Sequence, residues 1–163
     1  MTDTVYIIDS SSLIELNKHN AMDVYVSVWK NIGQLIQNDC LIAPKEVLNE
    51  IQNYDDALAK WAKTQKKLFK SPTARQIQLV QEILKEYPAL IDVNAKHSAD
   101  PWVIALAIEL SSQTQQTLVK IKRVVVTEEK LRENRVRIPF VCNKKSIESI
   151  DVVELFRAEG WKF

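Results

Sequence analysis

The chain has 163 residues and a nearly balanced charge, with 22 Lys and Arg against 21 Asp and Glu. A chain of this length suits one domain that buries about two thirds of the surface its unfolded form would expose, so we expect a single domain over residues 1–163. The net charge of +1 excludes a global attraction to nucleic acid, membranes or acidic substrates. Any such partner has to be attracted by a local surface.

Cysteine spacing and hydropathy exclude further classes of protein. The two cysteines, Cys40 and Cys142, lie far apart and outside any CxxC spacing, which argues against a zinc site and against a disulfide framework. The N-terminus lacks the basic and apolar regions of a signal peptide, and no apolar stretch approaches the roughly 18 residues of a membrane span. We therefore expect a cytoplasmic protein with no membrane partner.

Short apolar runs that end at a polar residue, a proline or a helix cap predict buried strands. Three runs have this form, at 5–8, 40–43 and 124–126, and 150–153 is a candidate fourth. The chain contains only two glycines, which leaves little turn chemistry for hairpins and makes an all-β sandwich improbable.

Apolar residues recur at helical spacing between these runs. Helices are predicted at 12–17, 22–37, 44–51, 55–69 and 73–86 and from 98 onward. Pro44 fits the first turn of its helix, and Ser98 can cap a helix that has Pro101 near its start. Because short strands separated by helices need right-handed crossovers, the sequence predicts the α/β class, a three-layer α/β/α sandwich with a mainly parallel central sheet.

Acidic residues stand at the ends of the predicted strands or on the helices that follow. Asp9 ends the first strand, Glu50 lies on the helix after the second, and Asp100 lies near the start of the long apolar helix. Glu128 and Glu129 directly follow the third strand. In a parallel sheet these positions meet at one edge, so the acids could converge on a single cleft. Several carboxylates in one cleft raise each other's pKa unless a cation offsets them, and oxygen ligands favour Mg²⁺ or Mn²⁺.

Four segments carry these acids: YIIDSSSLIEL at 6–16, LIAPKEVLNEI at 41–51, SADPWVIALAIE at 98–109 and VVVTEEK at 124–130. In order and spacing they resemble the PIN-domain family, metal-dependent nucleases that include the toxins of many bacterial toxin–antitoxin pairs. The ending IPFVCNKKSIESIDVVELFRAEGWKF is similar to one PIN-like family of unknown function. The resemblance covers nearly the whole chain and implies a PIN-like fold.

The resemblance implies catalytic roles residue by residue. Asp9, Glu50 and Asp100 match the first three acids of the family, and Ser11 matches the hydroxyl residue that orients the first acid. Glu46 competes with Glu50 for the second position, although the spacing from the proline and the Glu-apolar pair favour Glu50.

The fourth acidic position has two candidates. The family usually has Asp or Asn two residues after a threonine, which here is Glu129 after Thr127, and Glu128 could substitute for it. This departure from the family pattern leaves two alternatives, a site for one metal ion or a site for two.

The activity that the resemblance implies is that of an endoribonuclease dependent on Mg²⁺ or Mn²⁺. One or two ions would be held by Asp9, Asp100, Glu50 and Glu129 or Glu128, and would lower the pKa of a bound water and polarise the scissile phosphate. The implied products carry a 5′-phosphate and a 3′-hydroxyl. The implied partners are an RNA substrate, a cognate antitoxin of a type II toxin–antitoxin pair, and a second copy of the chain in a homodimer.

Basic residues surround the predicted turn at Thr127. They form a cluster of seven residues: Lys120, Lys122, Arg123, Lys130, Arg132, Arg135 and Arg137. The cluster flanks the predicted site on both sides of this turn, and we expect its members Lys122, Arg123, Lys130 and Arg132 to bind the RNA backbone. The alternative for these residues is a solvated surface without a nucleic-acid partner.

Two rival functions remain open on the sequence alone. A phosphatase of the haloacid dehalogenase type also has an acid after its first strand, but it uses a second Asp two residues further on, where this chain has Ser11. A non-cleaving PIN-like module that binds RNA or a protein is the other rival, and the retained acids speak against it.

Overall fold

In the computed structural model of the protein, the described residues are 4–54, 56–91, 98–113 and 120–163. Within these ranges five strands form one sheet in the order β3-β2-β1-β4-β5, and every neighbouring pair is parallel. The strands are β1 (Thr4–Ile8), β2 (Leu41–Pro44), β3 (Phe69–Lys70), β4 (Lys122–Val126) and β5 (Glu148–Ile150).

Helices follow the strands along the described part of the chain, and a 3₁₀ helix spans Pro88–Leu90. The α-helices are α1 (Ser10–His19), α2 (Val26–Gln37), α3 (Lys45–Ile51), α4 (Asp56–Thr64), α5 (Ala74–Glu86), α6 (Asp100–Ser112), α7 (Ile138–Lys144) and α8 (Val152–Ala158). The predicted α/β class and sandwich are therefore confirmed, with a sheet that is parallel at every described pairing. No helix in the described ranges is long and apolar enough to cross a membrane.

The centre of the sheet is covered on both faces. In β1, Tyr6, Ile7 and Ile8 are all buried, although successive side chains of a strand point to opposite faces. Ile8 pairs with Val126 at the end of β4, so the carboxyl ends of the two central strands lie side by side. Helix α6 packs against β1, β2 and β4.

Two predicted elements are placed differently. The candidate fourth strand at 150–153 is present but lies earlier in the chain, as β5 at Glu148–Ile150. The residues after Ile150 begin α8 instead, because Asp151 is its N-cap and forms a capping box with Glu154. The helix predicted at 55–69 ends at Thr64. Phe69, at the end of the predicted range, belongs instead to the two-residue strand β3. Residue 55, where that helix was expected to begin, lies outside the described residues.

Three predicted helix starts also differ in detail. The helix predicted from residue 22 begins at Val26, as α2. Pro44 is the last residue of β2 and the N-cap of α3, so it precedes the first turn rather than lying within it. Ser98 does not cap α6. The N-cap is Ala99, whose side chain makes no capping hydrogen bond, while Pro101 stands in the first turn as expected.

Candidate functional site

Asp9 lies where β1 ends and α1 begins, and its carboxylate is almost fully buried, with 2% of the residue exposed. Its Oδ1 accepts a hydrogen bond of 2.8 Å from the backbone N–H of Ser10. Its Oδ2 accepts from Ser11 Oγ at 2.7 Å and from Thr127 Oγ1 at 3.2 Å. These donors satisfy the buried carboxylate and fix its orientation. Ser11, which the resemblance expects to orient Asp9, is one of them.

Asp9 is one of three acids that converge at the carboxyl edge of the sheet. Asp100 is the first residue of α6, and Glu129 follows β4. One oxygen atom from each of the three carboxylates lies within 4.8 Å of the others. Three chain segments that are remote in sequence thus bring oxygen ligands to one point, as expected from parallel strands.

The three carboxyls share a pKa shift in one direction. Burial, followed by the charges of Asp9, Glu129 and Glu50, raises the pKa of Asp100 from 3.8 to about 8. The pKa of Glu129 is raised chiefly by burial, and that of Asp9 by burial against the opposing hydrogen bonds of Ser11, Ser10 and Thr127. Without a cation the cluster therefore resists full ionisation at neutral pH.

Glu129 and Glu128 point to different places. Glu129 Oε2 accepts a hydrogen bond of 3.0 Å from the backbone N–H of Ile138, the first residue of α7. Glu128 Oε1 instead accepts hydrogen bonds from the backbone N–H of Val152 at 3.0 Å and from Ser12 Oγ at 3.3 Å. Glu128 therefore binds the first N–H group of α8. The structure brings Glu129 into the three-acid cluster and leaves Glu128 beside it.

Glu50 lies next to the cluster but is not among its three acids. Its Oε1 accepts a hydrogen bond of 2.6 Å from Ala99 N, and its Oε2 accepts one from Ser10 Oγ. Its charge still raises the pKa of Asp100. Glu50 lines the same cleft as Asp9 and Asp100, whereas Glu46 does not and accepts a hydrogen bond from Asn49 on its own helix.

The cleft at this edge has a volume of about 1040 Å³ and extends well beyond the acids. Asn53 and Tyr54, directly after α3, line it together with residues around the 3₁₀ helix, among them Ile91. Arg135 and Arg137, just before α7, also line it. A volume of this size exceeds what a metal ion and its waters occupy, and leaves room for a substrate.

None of the four basic residues predicted to bind RNA is among the residues that line the cleft. Lys122 and Arg123 begin β4, at the end of the strand opposite to the acids, and Lys122 pairs with Glu148 at 2.5 Å. Lys130 pairs with Asp151 at 2.9 Å. The expected position of Lys122 and Arg123 beside the site is therefore wrong, because the length of β4 separates them from it.

Arg132 is exposed and is not among the residues that line the cleft, so it does not reach the site in the way the sequence suggested either. The arginines that do line it, Arg135 and Arg137, belong to the same basic cluster of the sequence but are not among its four residues predicted to bind RNA. The signal that could have identified them is Pro139, which marks the first turn of a helix and thereby places the preceding residues at the sheet edge.

The donor set of the cluster fits a hard divalent cation. Asp9, Asp100 and Glu129 offer only oxygen atoms, partly or fully buried. Burial raises the pKa of all three, and the charges of neighbouring acids add to it at Asp100 and Glu129. A bound cation would offset both effects. Fold and site together define a parallel α/β protein with a carboxylate site at the carboxyl edge of its sheet.

The chain belongs to the family described as "Domain of unknown function (DUF4411)", which matches residues 6–163. None of the curated proteins matches it. Among solved structures it is similar to a chain in the crystal structure of VapBC2 from Rickettsia felis bound to a DNA fragment from their promoter. The identity is 14% and the TM-score 0.48, over 90% of this chain and 98% of that chain.

Proposed function

We propose that the protein is a PIN-type nuclease that hydrolyses phosphodiester bonds of RNA with the help of Mg²⁺ or Mn²⁺. The observation that carries the proposal is the convergence of Asp9, Asp100 and Glu129, with oxygen atoms within 4.8 Å of one another. The order and spacing of the four acidic segments in the sequence support it.

In this proposal Asp9, Asp100 and Glu129 hold one divalent cation. Such an ion, when bound, lowers the pKa of a bound water and polarises a phosphate oxygen. A second ion would need Glu50, whose two oxygens already accept hydrogen bonds from Ala99 and Ser10. We therefore assign one ion to the three-acid cluster and a positioning role to Glu50.

The remaining polar groups orient the acids. Ser11 and Thr127 both donate to Oδ2 of Asp9, and the N–H of Ile138 holds Oε2 of Glu129. Groups held in this way do not have to reorganise when charge develops on a reacting phosphate. An acid of the site that is not bound to the metal could accept the proton of the attacking water.

The toxin of a type II toxin–antitoxin pair is the biological role that we propose on the resemblance of the acidic segments to PIN toxins. An antitoxin and a second copy of the chain are then the proposed protein partners. A short reading frame next to the gene, encoding a small DNA-binding or antitoxin-like protein, would support this role, and its absence would count against it.

A phosphatase of the haloacid dehalogenase type fits the site less well. The position two residues after Asp9 would have to carry its general acid. Ser11 stands there, donating to Asp9 and accepting from the backbone N–H of Glu128 at 3.1 Å. This hydroxyl orients groups and cannot supply a carboxyl proton.

Incubation of the purified protein with end-labelled RNA tests the proposed activity. We expect cleavage in Mg²⁺ or Mn²⁺, arrest by EDTA, and fragments that carry a 5′-phosphate. Binding of RNA without turnover in any divalent ion would instead establish the non-cleaving module, and hydrolysis of small phosphomonoesters alone would favour a phosphatase.

A further inference from the structure

The cleft has two walls, which flank the end of β1 on its β2 side and on its β4 side. Tyr54 follows α3 and so belongs to the side of β2, whereas Arg137 lies between β4 and α7, on the side of β4. Because β1 lies between β2 and β4 in the sheet, Asp9 at its end lies between the two walls.

Arg137 places a positive charge beside the acids. Its charge partly offsets the burial and the like charges that raise the pKa of Asp100 and Glu129, and its side chain is exposed. Among the described residues no ion pair engages it. A guanidinium that is close to the acids and not committed to one of them can form a forked pair with a phosphate.

Tyr54 places an aromatic ring at the mouth of the same cleft. It is 73% exposed, the largest exposed fraction among the large hydrophobic side chains of the described residues. One exposed tyrosine is ordinary on a protein surface. Its position in the lining of the acidic cleft that Arg137 also lines gives it a particular use, since aromatic rings bind the faces of unpaired bases.

We propose that Arg137 and Tyr54 form a nucleotide subsite of the cleft, in which Arg137 binds a backbone phosphate and Tyr54 stacks on a neighbouring base. This inference rests on the proposed nuclease function, because it assumes a nucleic-acid substrate. A base stacked on Tyr54 has to leave its own helix, so the subsite selects single strands over duplexes.

Binding measured in EDTA separates the subsite from catalysis. The probe is a fluorescently labelled single-stranded RNA of about eight nucleotides, compared by anisotropy with the same sequence in a duplex and with single-stranded DNA. We expect the single strand to bind at least about tenfold more tightly than the duplex. Equal affinity for the DNA strand would mean that the subsite reads phosphate and base alone and not the 2′-hydroxyl.

Two pairs of variants test the residues. Arg137→Gln should weaken binding about tenfold and lower the salt dependence by about one counterion. Tyr54→Ala should weaken it about tenfold without changing the salt dependence, and Tyr54→Phe should restore binding because the ring face is kept. Arg75→Gln and Tyr25→Ala are the matched controls, since both residues are exposed but outside the cleft.

The outcomes distinguish this inference from the proposed function. RNA cleavage with unchanged affinity in both Arg137→Gln and Tyr54→Ala would overturn the subsite and leave the nuclease intact. The expected losses of affinity without cleavage by the wild type would retain the subsite and overturn the nuclease. Failure of the wild type to bind RNA, or equal binding of duplex and single strand, would also overturn the subsite. Melting curves confirm that each variant is folded.

Discussion

Oε1 of Glu50 accepts a hydrogen bond of 2.6 Å from the backbone N–H of Ala99, so a carboxylate of α3 caps the helix that begins with Asp100. Oε2 of the same side chain accepts from Ser10 Oγ in α1. One side chain thereby ties together three helices that meet at the site. A negative charge at a helix N-terminus is also favourable, since unpaired N–H groups point outward there.

The capping contact separates the structural role of Glu50 from a role as a metal ligand. Glu50→Gln retains a carbonyl oxygen that can accept from Ala99, so we expect it to keep most of the stability and the affinity for Mn²⁺. Glu50→Ala removes both acceptors and should lower the free energy of unfolding by about 1–3 kcal/mol. Urea unfolding and calorimetric titration measure the two quantities. A loss of Mn²⁺ binding in Glu50→Gln as large as in Asp100→Asn would identify Glu50 as a direct ligand.

Substitution of Glu129 should change the affinity for Mn²⁺, whereas substitution of Glu128 should change the stability of the fold. Glu129→Gln removes a charge from the three-acid cluster and should weaken Mn²⁺ binding at least about tenfold, whereas Glu128→Gln should not. Glu128→Ala takes an acceptor from the N–H of Val152 and should cost about 1 kcal/mol of stability. The opposite pattern of Mn²⁺ affinity, measured by titration calorimetry, would exchange the roles of the two residues.

The pKa of Asp100 gives the ion-free protein a characteristic pH dependence. The folded state keeps a proton that the unfolded chain releases, because folding raises this pKa from 3.8 to about 8. The free energy of unfolding therefore falls as pH rises between these values, by at most about 1.4 kcal/mol per pH unit. Above the folded pKa this contribution is constant.

Urea unfolding in EDTA at pH 6 and pH 8 measures this effect. We expect the wild type to be more stable at pH 6, and Asp100→Asn to show a smaller difference between the two values. Mg²⁺ should stabilise the wild type more at pH 8, where protons compete less for the carboxylates. The exposed Glu133, changed to Gln, is the control. An Asp100→Asn protein with the full wild-type pH dependence would rule out this assignment.

The convergence of Asp9, Asp100 and Glu129 could be predicted from the sequence because it depends on two local facts. Each acid stands at a strand end or a helix start, and the strands are short apolar runs separated by helices. Parallel topology then brings these positions to one edge. The central strands could be recognised because their side chains are apolar on both faces, a pattern that does not depend on the partner strand.

The remaining features could not be predicted from sequence spacing alone, for different reasons. Lys122 and Arg123 are close to Thr127 in sequence, but an extended strand moves the chain roughly 3.3 Å per residue, so they lie at the opposite edge. The strands β3 and β5 are two and three residues long, too short for a recognisable period. The bond of Glu50 to Ala99 joins two helices whose relative position the sequence does not state.

We propose that Asp9 and Asp100 hold the cation with which this protein hydrolyses RNA. The most direct measurement is the rate of cleavage of labelled RNA in Mg²⁺ by the wild type, Asp9→Asn and Asp100→Asn, with Glu133→Gln as the control and melting curves to confirm folding. We expect both Asn variants to lose at least about 100-fold in rate and the control to match the wild type. Cleavage that persists in the folded Asn variants, or that continues in EDTA, would contradict the claim.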